Sequence, residues 1–318
     1  MDTPIEKDSF VFIVGSPRSG TTLLGELLDR HPQVSQWYEP YFVWDHLFRD
    51  ASHDERTAAD ATVDVRRQIF KDFSRYRQQQ RCLALIDKSP RNSLKILFIL
   101  EIFPRAKFIH LLRDGRDATL SIHKEWLRRR RIFQNPAKEG RFDYVGAVEV
   151  IRNFLARQPF LSDKLRALWF ETHGHLFNKK KQLNRLRWKG EIGWGPRFKG
   201  WEEVYARTSL LQFNAYQWLN CIQAIQQNWE FIPPKNRLKV RYEDLITHPE
   251  KKINEIIHFI GVHSSQKFIE ALPGLKAGNY DKWKREFSRE QLEELISILT
   301  PALIDLGYAE STEWLDTI

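Results

Sequence analysis

Phe10-Val11-Phe12-Ile13-Val14-Gly15-Ser16-Pro17-Arg18-Ser19-Gly20-Thr21-Thr22 is an apolar run that empties into a loop bracketed by two glycines. An amphipathic stretch, Thr21–Arg30, follows at once. A short buried strand, a glycine-bracketed turn and a helix form a layout in which backbone N–H groups converge on an anion at the helix N-terminus. A nucleotide triphosphatase carries Lys-Ser/Thr after the second glycine. Here Thr21-Thr22 stand in that place, and the cation, Arg18, lies inside the loop. The stretch therefore reads as a cradle for a phosphate ester rather than for a magnesium-bound triphosphate.

Working outward, three more apolar runs have strand character: Leu83–Ile86, Lys107–Leu112 and Leu238–Tyr242. Helical patterns occupy Ala58–Gln80, Ser93–Ile102 (stopped by Pro104), about Ala118 to Arg131, Leu210–Trp229 and about Pro249 to Ile260. Short apolar strands alternating with helices predict an α/β fold: a central parallel β-sheet with helices on both faces and a P-loop-like nucleotide-binding core. In such sheets ligands lie beyond the carboxyl ends of the strands. Gly15–Thr22, Asp87–Arg91 and Arg113–Asp117 all fall there, so the pattern predicts one crevice. Within it, a strand delivers Arg113, and Ser121 returns eight residues later near the start of a helix. An arginine with a hydroxyl at a helix start suits a second phosphate.

Composition sets the remaining bounds. The 318 residues carry a net charge of +9, and Lys124–Lys199 alone holds 19 Lys/Arg against 7 Asp/Glu. One basic segment points to an anionic ligand nearby rather than to a uniformly basic nucleic-acid coat. No nucleic-acid partner is expected. Seven of the eleven tryptophans lie between Trp126 and Trp229, with the runs Arg128–Arg131 and Lys179–Lys181. This region reads as a helical, Trp-rich insertion, about 126–234, on a single domain whose core spans about 1–125 and 235–318. Two cysteines, Cys82 and Cys221, build no disulfide framework. Met1–Asp8 is polar and acidic, unlike a signal peptide, and no apolar run approaches the ~18 residues that span a bilayer. A cytoplasmic location is the expectation.

These pieces together resemble the sulfotransferases that use 3′-phosphoadenosine 5′-phosphosulfate (PAPS). The likeness rests on the Gly15–Thr22 loop, Asp87-Lys88-Ser89-Pro90, the Arg113/Ser121 pair, Val240-Arg241-Tyr242-Glu243-Asp244-Leu245, and the tail from Lys282-Trp283-Lys284 to Leu306-Gly307-Tyr308. The resemblance implies that Gly15, Pro17, Arg18, Ser19, Gly20, Thr21 and Thr22 hold the 5′-phosphosulfate, while Arg113 and Ser121 hold the 3′-phosphate. It implies roles for Tyr242 under the nucleotide and for Lys282, Trp283 and Lys284 near the 3′-phosphate. Cytosolic small-molecule members carry a histidine base two residues after a lysine, where this chain has Pro90. The pattern is closer to the bacterial and tyrosylprotein-sulfotransferase-like branch, whose glutamate base falls on Glu39 in Trp37-Tyr38-Glu39-Pro40. Asp45, His31, His110 and His123 are weaker base candidates. Glu39, Lys88 and Arg18 are thus the expected catalytic set, with PAPS as co-substrate, PAP as product and no metal required. Two other classes stay open at this point: a P-loop kinase or NTPase, disfavoured by the missing loop lysine and the lack of a convincing magnesium-binding aspartate, and a non-enzymatic anion-binding protein. The resemblance implies an acceptor hydroxyl, or less readily a nitrogen, on a small molecule, a glycan, a lipid or a tyrosyl peptide.

Overall fold

The computed structural model describes residues 9–48, 50–134, 188, 193–263, 266–270, 272 and 278–317. Five parallel strands form one sheet in the order β2-β3-β1-β4-β5. They are β1 (Ser9–Val14), β2 (Val34–Tyr38), β3 (Ala84–Lys88), β4 (Lys107–Leu112) and β5 (Arg237–Arg241). The three central strands are buried on both faces, which is why they read as near-continuous apolar runs. Their alternation splits the core in two. Phe10, Phe12 and Val14 face one layer with Phe73, Phe98 and Ile225, while Val11 and Ile13 face the other with Leu24, Leu28, Ile256 and Ile257.

The helices cover both faces, as the α/β reading requires. On the first side lie α2 (Tyr41–Asp45), α3 (Val63–Gln80), α4 (Ile96–Ile102) and, further along the chain, Leu210–Trp229. Aromatic rings fill this layer: Phe12 stacks on Phe108 at 5.5 Å and meets Phe103 at 5.4 Å. On the second side lie α1 (Thr21–Leu28) and the helices after β5. The chain continues from β4 through α5 (Gly115–Gln134), α6 (Trp201–Arg207), α7 (Leu210–Trp229), α8 (Tyr242–Thr247), α9 (Pro249–Ile260), α10 (Gln266–Glu270), α11 (Trp283–Glu286) and α12 (Arg289–Asp305).

Local chemistry explains where these elements stop. α7 begins with a capping box, Ser209 Oγ accepting from the Gln212 N–H while Gln212 reaches back to Ser209 N. α12 begins with the same device at Ser288 and Gln291. α9 ends on Gly261 at φ 85°, whose N–H reaches the carbonyls of Ile257 and His258.

Several expected boundaries need correction. α4 begins at Ile96, because Ser93 belongs to the 3₁₀ turn Pro90–Leu94, and α5 begins at Gly115, which puts Ser121 in its second turn rather than at its start. β2 escaped the apolar-run reading because Ser35 and Gln36 interrupt it at an edge of the sheet. α3 starts at Val63 behind the Thr62 cap, since Ala58–Asp60 forms a separate 3₁₀ turn. β5 ends at Arg241, and Tyr242 opens α8 instead of closing the strand.

The chain divides into two compact units, residues 1–123 with 195–318, and residues 124–194. α7 belongs to the first. In the second, Glu125 accepts from Arg128 at 2.7 Å and Arg129 at 2.6 Å, so part of the 128–131 arginine run is internally paired. Trp126 and Trp188 meet edge to face at 5.2 Å. The Lys179–Lys181 run lies outside the described residues.

Candidate active site

Every strand delivers a sequence-selected residue at its carboxyl end. In spatial order across the sheet these are Glu39 after β2, Lys88 closing β3, the Gly15–Gly20 loop after β1, Arg113 after β4 and Tyr242 after β5. Two strand intervals, about 10 Å, separate the strand of Lys88 from that of Arg113. This is the edge of the sheet at which a doubly wound fold holds its ligands.

The loop is fastened from below. Ser93 Oγ donates to the Gly15 carbonyl at 2.9 Å and accepts the Gly15 N–H at 3.0 Å. Ser16 and Ser19 share a 2.6 Å hydroxyl contact, and Pro17 and Ser19 are buried. Gly20 is the N-cap of α1 at φ 89° with no side-chain cap, so the first-turn N–H groups, those of Thr21 and Thr22 among them, are unclaimed by a capping side chain. A Cβ on Gly20 would sit 2.4 Å from Tyr242 Cδ2. Backbone and aromatic ring therefore approach closely beside the cradle, an arrangement that fits a phosphate ester.

At the β2–β3 side, Lys88 Nζ donates to Glu39 Oε1 at 2.6 Å. The lysine side chain is 1% exposed and the glutamate 26%, so the pair opens toward solvent from the carboxylate end. The Lys88 ammonium also lies 3.9 Å from the centre of the Tyr38 ring. Glu39 adopts φ 44°, Arg18 φ 65° and Asp281 φ 57°. Among the described residues a fourth, Arg81, merely caps α3, whereas Arg18 and Glu39 lie in segments selected from sequence and Asp281 directly precedes Lys282, and such strain concentrates at functional sites.

At the β4–β5 side, Arg113 Nη1 donates to the Arg18 carbonyl at 2.8 Å and Nη2 to the Asn279 carbonyl at 3.1 Å. Its guanidinium stacks over Tyr242 at 4.5 Å. The side chain of Arg18 runs to this end as well, Nε donating to Ser121 Oγ at 3.0 Å. The structure thus joins Arg18, Arg113, Ser121 and Tyr242 in one cluster and Lys88 with Glu39 in another. Lys282 opens α11. Lys284 pairs with Asp281 at 3.1 Å at the surface. Trp283 is 1% exposed and packs under Arg116 at 4.1 Å and against Trp314 at 5.7 Å, an anchor for its turn.

Two comparisons of sequence and one of structure bear on this geometry. The model described as the sulfotransferase family matches residues 10–157 and 197–266. The chain belongs to the sulfotransferase family. Protein-tyrosine sulfotransferase A of Caenorhabditis elegans is 30% identical over 276 residues, covering 82% of this chain and 52% of the relative. Nodulation protein NoeE of Sinorhizobium fredii is 31% identical over 132 residues, 36% of this chain and 31% of the relative. The chain therefore spans about half or less of the length of these curated relatives. The sulfotransferase domain from the curacin biosynthetic pathway shares the fold, with a TM-score of 0.50 at 13% identity over 94% of this chain and 98% of that one.

Within this sulfotransferase fold the weaker base candidates have other tasks. Asp45 accepts from Arg91 at 2.8 Å, His31 meets the His263 carbonyl at 2.8 Å, and His123 meets Asn214 Oδ1 at 3.0 Å. His110 is buried on the aromatic side of the sheet, and burial holds its imidazole down at about 3. Asp87, the aspartate that closes the apolar run of β3, accepts from Trp44 Nε1 at 2.8 Å, Ser89 Oγ at 2.6 Å and Asn92 Nδ2 at 2.9 Å. Burial raises its carboxyl above the usual range against those three bonds. Both oxygens are committed to bracing the turn after Lys88.

Sequence reasoning missed Ser93, Asn279 and Asp117. Asn279 Nδ2 donates to the Tyr242 hydroxyl at 2.6 Å while its carbonyl takes Arg113. Nothing in a lone loop asparagine announces a contact to an arginine 166 positions away. Ser93 stood in the sequence as a helix start, and only the fold brings it under Gly15.

Proposed function

We propose that the chain transfers a sulfuryl group from PAPS to the hydroxyl of a small-molecule or natural-product acceptor by in-line displacement. The observation that carries this reading is the order of groups across the sheet: a carboxylate–lysine pair at one end, a phosphate cradle in the centre, and an arginine–serine pair at the other. The cradle and the Arg113/Ser121 pair would hold two separate phosphates of one nucleotide, a demand that PAPS meets. Its sulfonate would then lie toward Lys88 and Glu39.

The chain's own groups divide the work. Lys88 holds Glu39 Oε1, which leaves Oε2 to accept the proton of the acceptor hydroxyl. The new acceptor O–S bond forms as the S–O bond to the 5′-phosphate breaks, and the electron pair of that bond goes to the phosphate. Lys88, Arg18 and the unclaimed N–H groups at the start of α1 supply preorganised donors for the charge that builds there. Thr21 and Thr22 would line the 5′-phosphate. Lys282 and Lys284 lie in the turn that would close over the 3′-phosphate. The chemistry asks for cations rather than a metal, and lysine and arginine provide them.

The relatives named for protein-tyrosine sulfation favour a second reading, a tyrosyl peptide as acceptor. A cytoplasmic setting agrees with Cys82 and Cys221, both buried free thiols, and among the described residues no helix is long and apolar enough to cross a membrane. The test is incubation with PAPS labelled in its sulfonate, against a panel of phenols, aliphatic alcohols, sugars and tyrosyl peptides. Label moving to a phenol or alcohol supports the first reading, label moving only to the peptide supports the second, and label staying on PAPS with every acceptor counts against both.

A further inference from the structure

Asp117 lies in the first turn of α5, four residues after Arg113, and its side chain is 1% exposed. One of its oxygens, Oδ1, accepts the backbone N–H of Trp283 at 3.1 Å. The other, Oδ2, stands 3.9 Å from Arg113 Nη2 and has no hydrogen-bond donor. Arg113 is 7% exposed, its two terminal nitrogens are held by the Arg18 and Asn279 carbonyls, and its Nε has no acceptor. A buried guanidinium held only by carbonyls has no countercharge, and Asp117 is the carboxylate that supplies one. The same carboxylate ties down the turn that follows Asn279 and Asp281 and carries Lys282 and Lys284. One acidic side chain therefore grips both the arginine of the second phosphate subsite and the segment facing it.

We propose that Asp117 is the positioning residue of that subsite: it orients Arg113 and seats the 281–284 turn, so that selectivity for a 3′-phosphorylated nucleotide depends on it. This rests on the PAPS reading above. Asp117 touches neither the sulfonate nor the acceptor, so its effect belongs to nucleotide affinity rather than to the chemical step.

The experiment is calorimetric titration of the whole chain and of Asp117→Asn with PAP and with 5′-AMP, which lacks the 3′-phosphate. Asn keeps the size and an acceptor for the Trp283 N–H while removing the charge. The expected result is a loss of PAP affinity of roughly 10–100-fold, the scale by which groups that orient the ligands of metal sites change affinity, with 5′-AMP affinity within about twofold of wild type. The KM for PAPS should rise by the same factor while kcat at saturation holds. Melting temperatures certify folding, and Asp117→Glu, which keeps the charge but displaces it, gives a second reading of the PAP to 5′-AMP ratio. A merely structural role would weaken both nucleotides together. A wild-type preference for PAP that survives unchanged in both variants overturns the Asp117 assignment and leaves the donor reading standing. Equal wild-type affinity for PAP and 5′-AMP overturns the donor reading, and the assignment with it.

Discussion

Glu39 and Lys88 show what a single side-chain pair settles. A carboxylate held at 2.6 Å by a buried ammonium has one oxygen fixed and one available. If Glu39 takes the acceptor proton, Glu39→Gln keeps the Lys88 contact through its amide oxygen but loses the base. The expected loss in kcat is ~10²–10⁴-fold, with PAP affinity unchanged in titration; an active Gln variant would move the base elsewhere. Arg113, Ser121, Lys88 and the loop were legible at this scale because each stands at a fixed offset from a strand. The backbone strain at Glu39 and the burial of Trp283 were not, since φ angles and packing depend on neighbours brought in by the fold.

At the scale of elements, the segment after Glu39 is held by an ion network. Arg91, in the 3₁₀ turn after β3, donates to Asp45 at 2.8 Å, lies 3.6 Å from Asp54 and stacks on Tyr41 at 3.8 Å. Asp54 in turn accepts the Arg197 N–H at 2.9 Å and its Nη2 at 3.2 Å. Burial works against the Arg91 charge, and the carboxylates of Asp54 and Asp45 outweigh it, so the guanidinium is held above its ordinary value. Asp54→Ala strips the buried Arg197 and the partly buried Arg91 of a shared partner. The expected cost is about 3–5 kcal/mol, read from urea unfolding midpoints, and a loss below about 1 kcal/mol would show that α2 is held by other contacts. This network was invisible in sequence because its members come from three separate segments. The strand–helix alternation was visible, apart from β2, whose polar residues at the sheet edge hid it.

Across the whole molecule, the sheet has a proton-linked weakness beneath the site, at His110, which pairs in register with Val14 just before the Gly15 cradle. His110 is 1% exposed with both ring nitrogens unpaired, beside a cavity of about 170 Å³ lined by Ile225, Gln226, Trp229, Glu230 and Lys239. Burial first, and the Lys239 charge second, lower its folded-state value to about 3 from an ordinary 6.5. Between those values the unfolded chain takes up a proton that the folded chain refuses, so stability present above pH 6.5 is lost as pH falls toward 3. The loss from this group reaches about 2 kcal/mol by pH 5. His110→Phe, whose ring extends toward the cavity, removes it: the gap in melting temperature between variant and wild type should widen by roughly 3–6 °C from pH 7.5 to pH 5. A constant gap would show that the imidazole titrates normally.

The central claim is that the five strand ends form a site for one nucleotide carrying separate 5′ and 3′ phosphates. Calorimetric titration with PAP in the absence of magnesium, followed by competition with magnesium-ATP, tests it most directly. PAP should bind at one site per chain without magnesium, and magnesium-ATP should fail to displace it at equal concentration. Tighter binding of magnesium-ATP than of PAP would contradict the claim and return the Gly15–Thr22 loop to the triphosphate class.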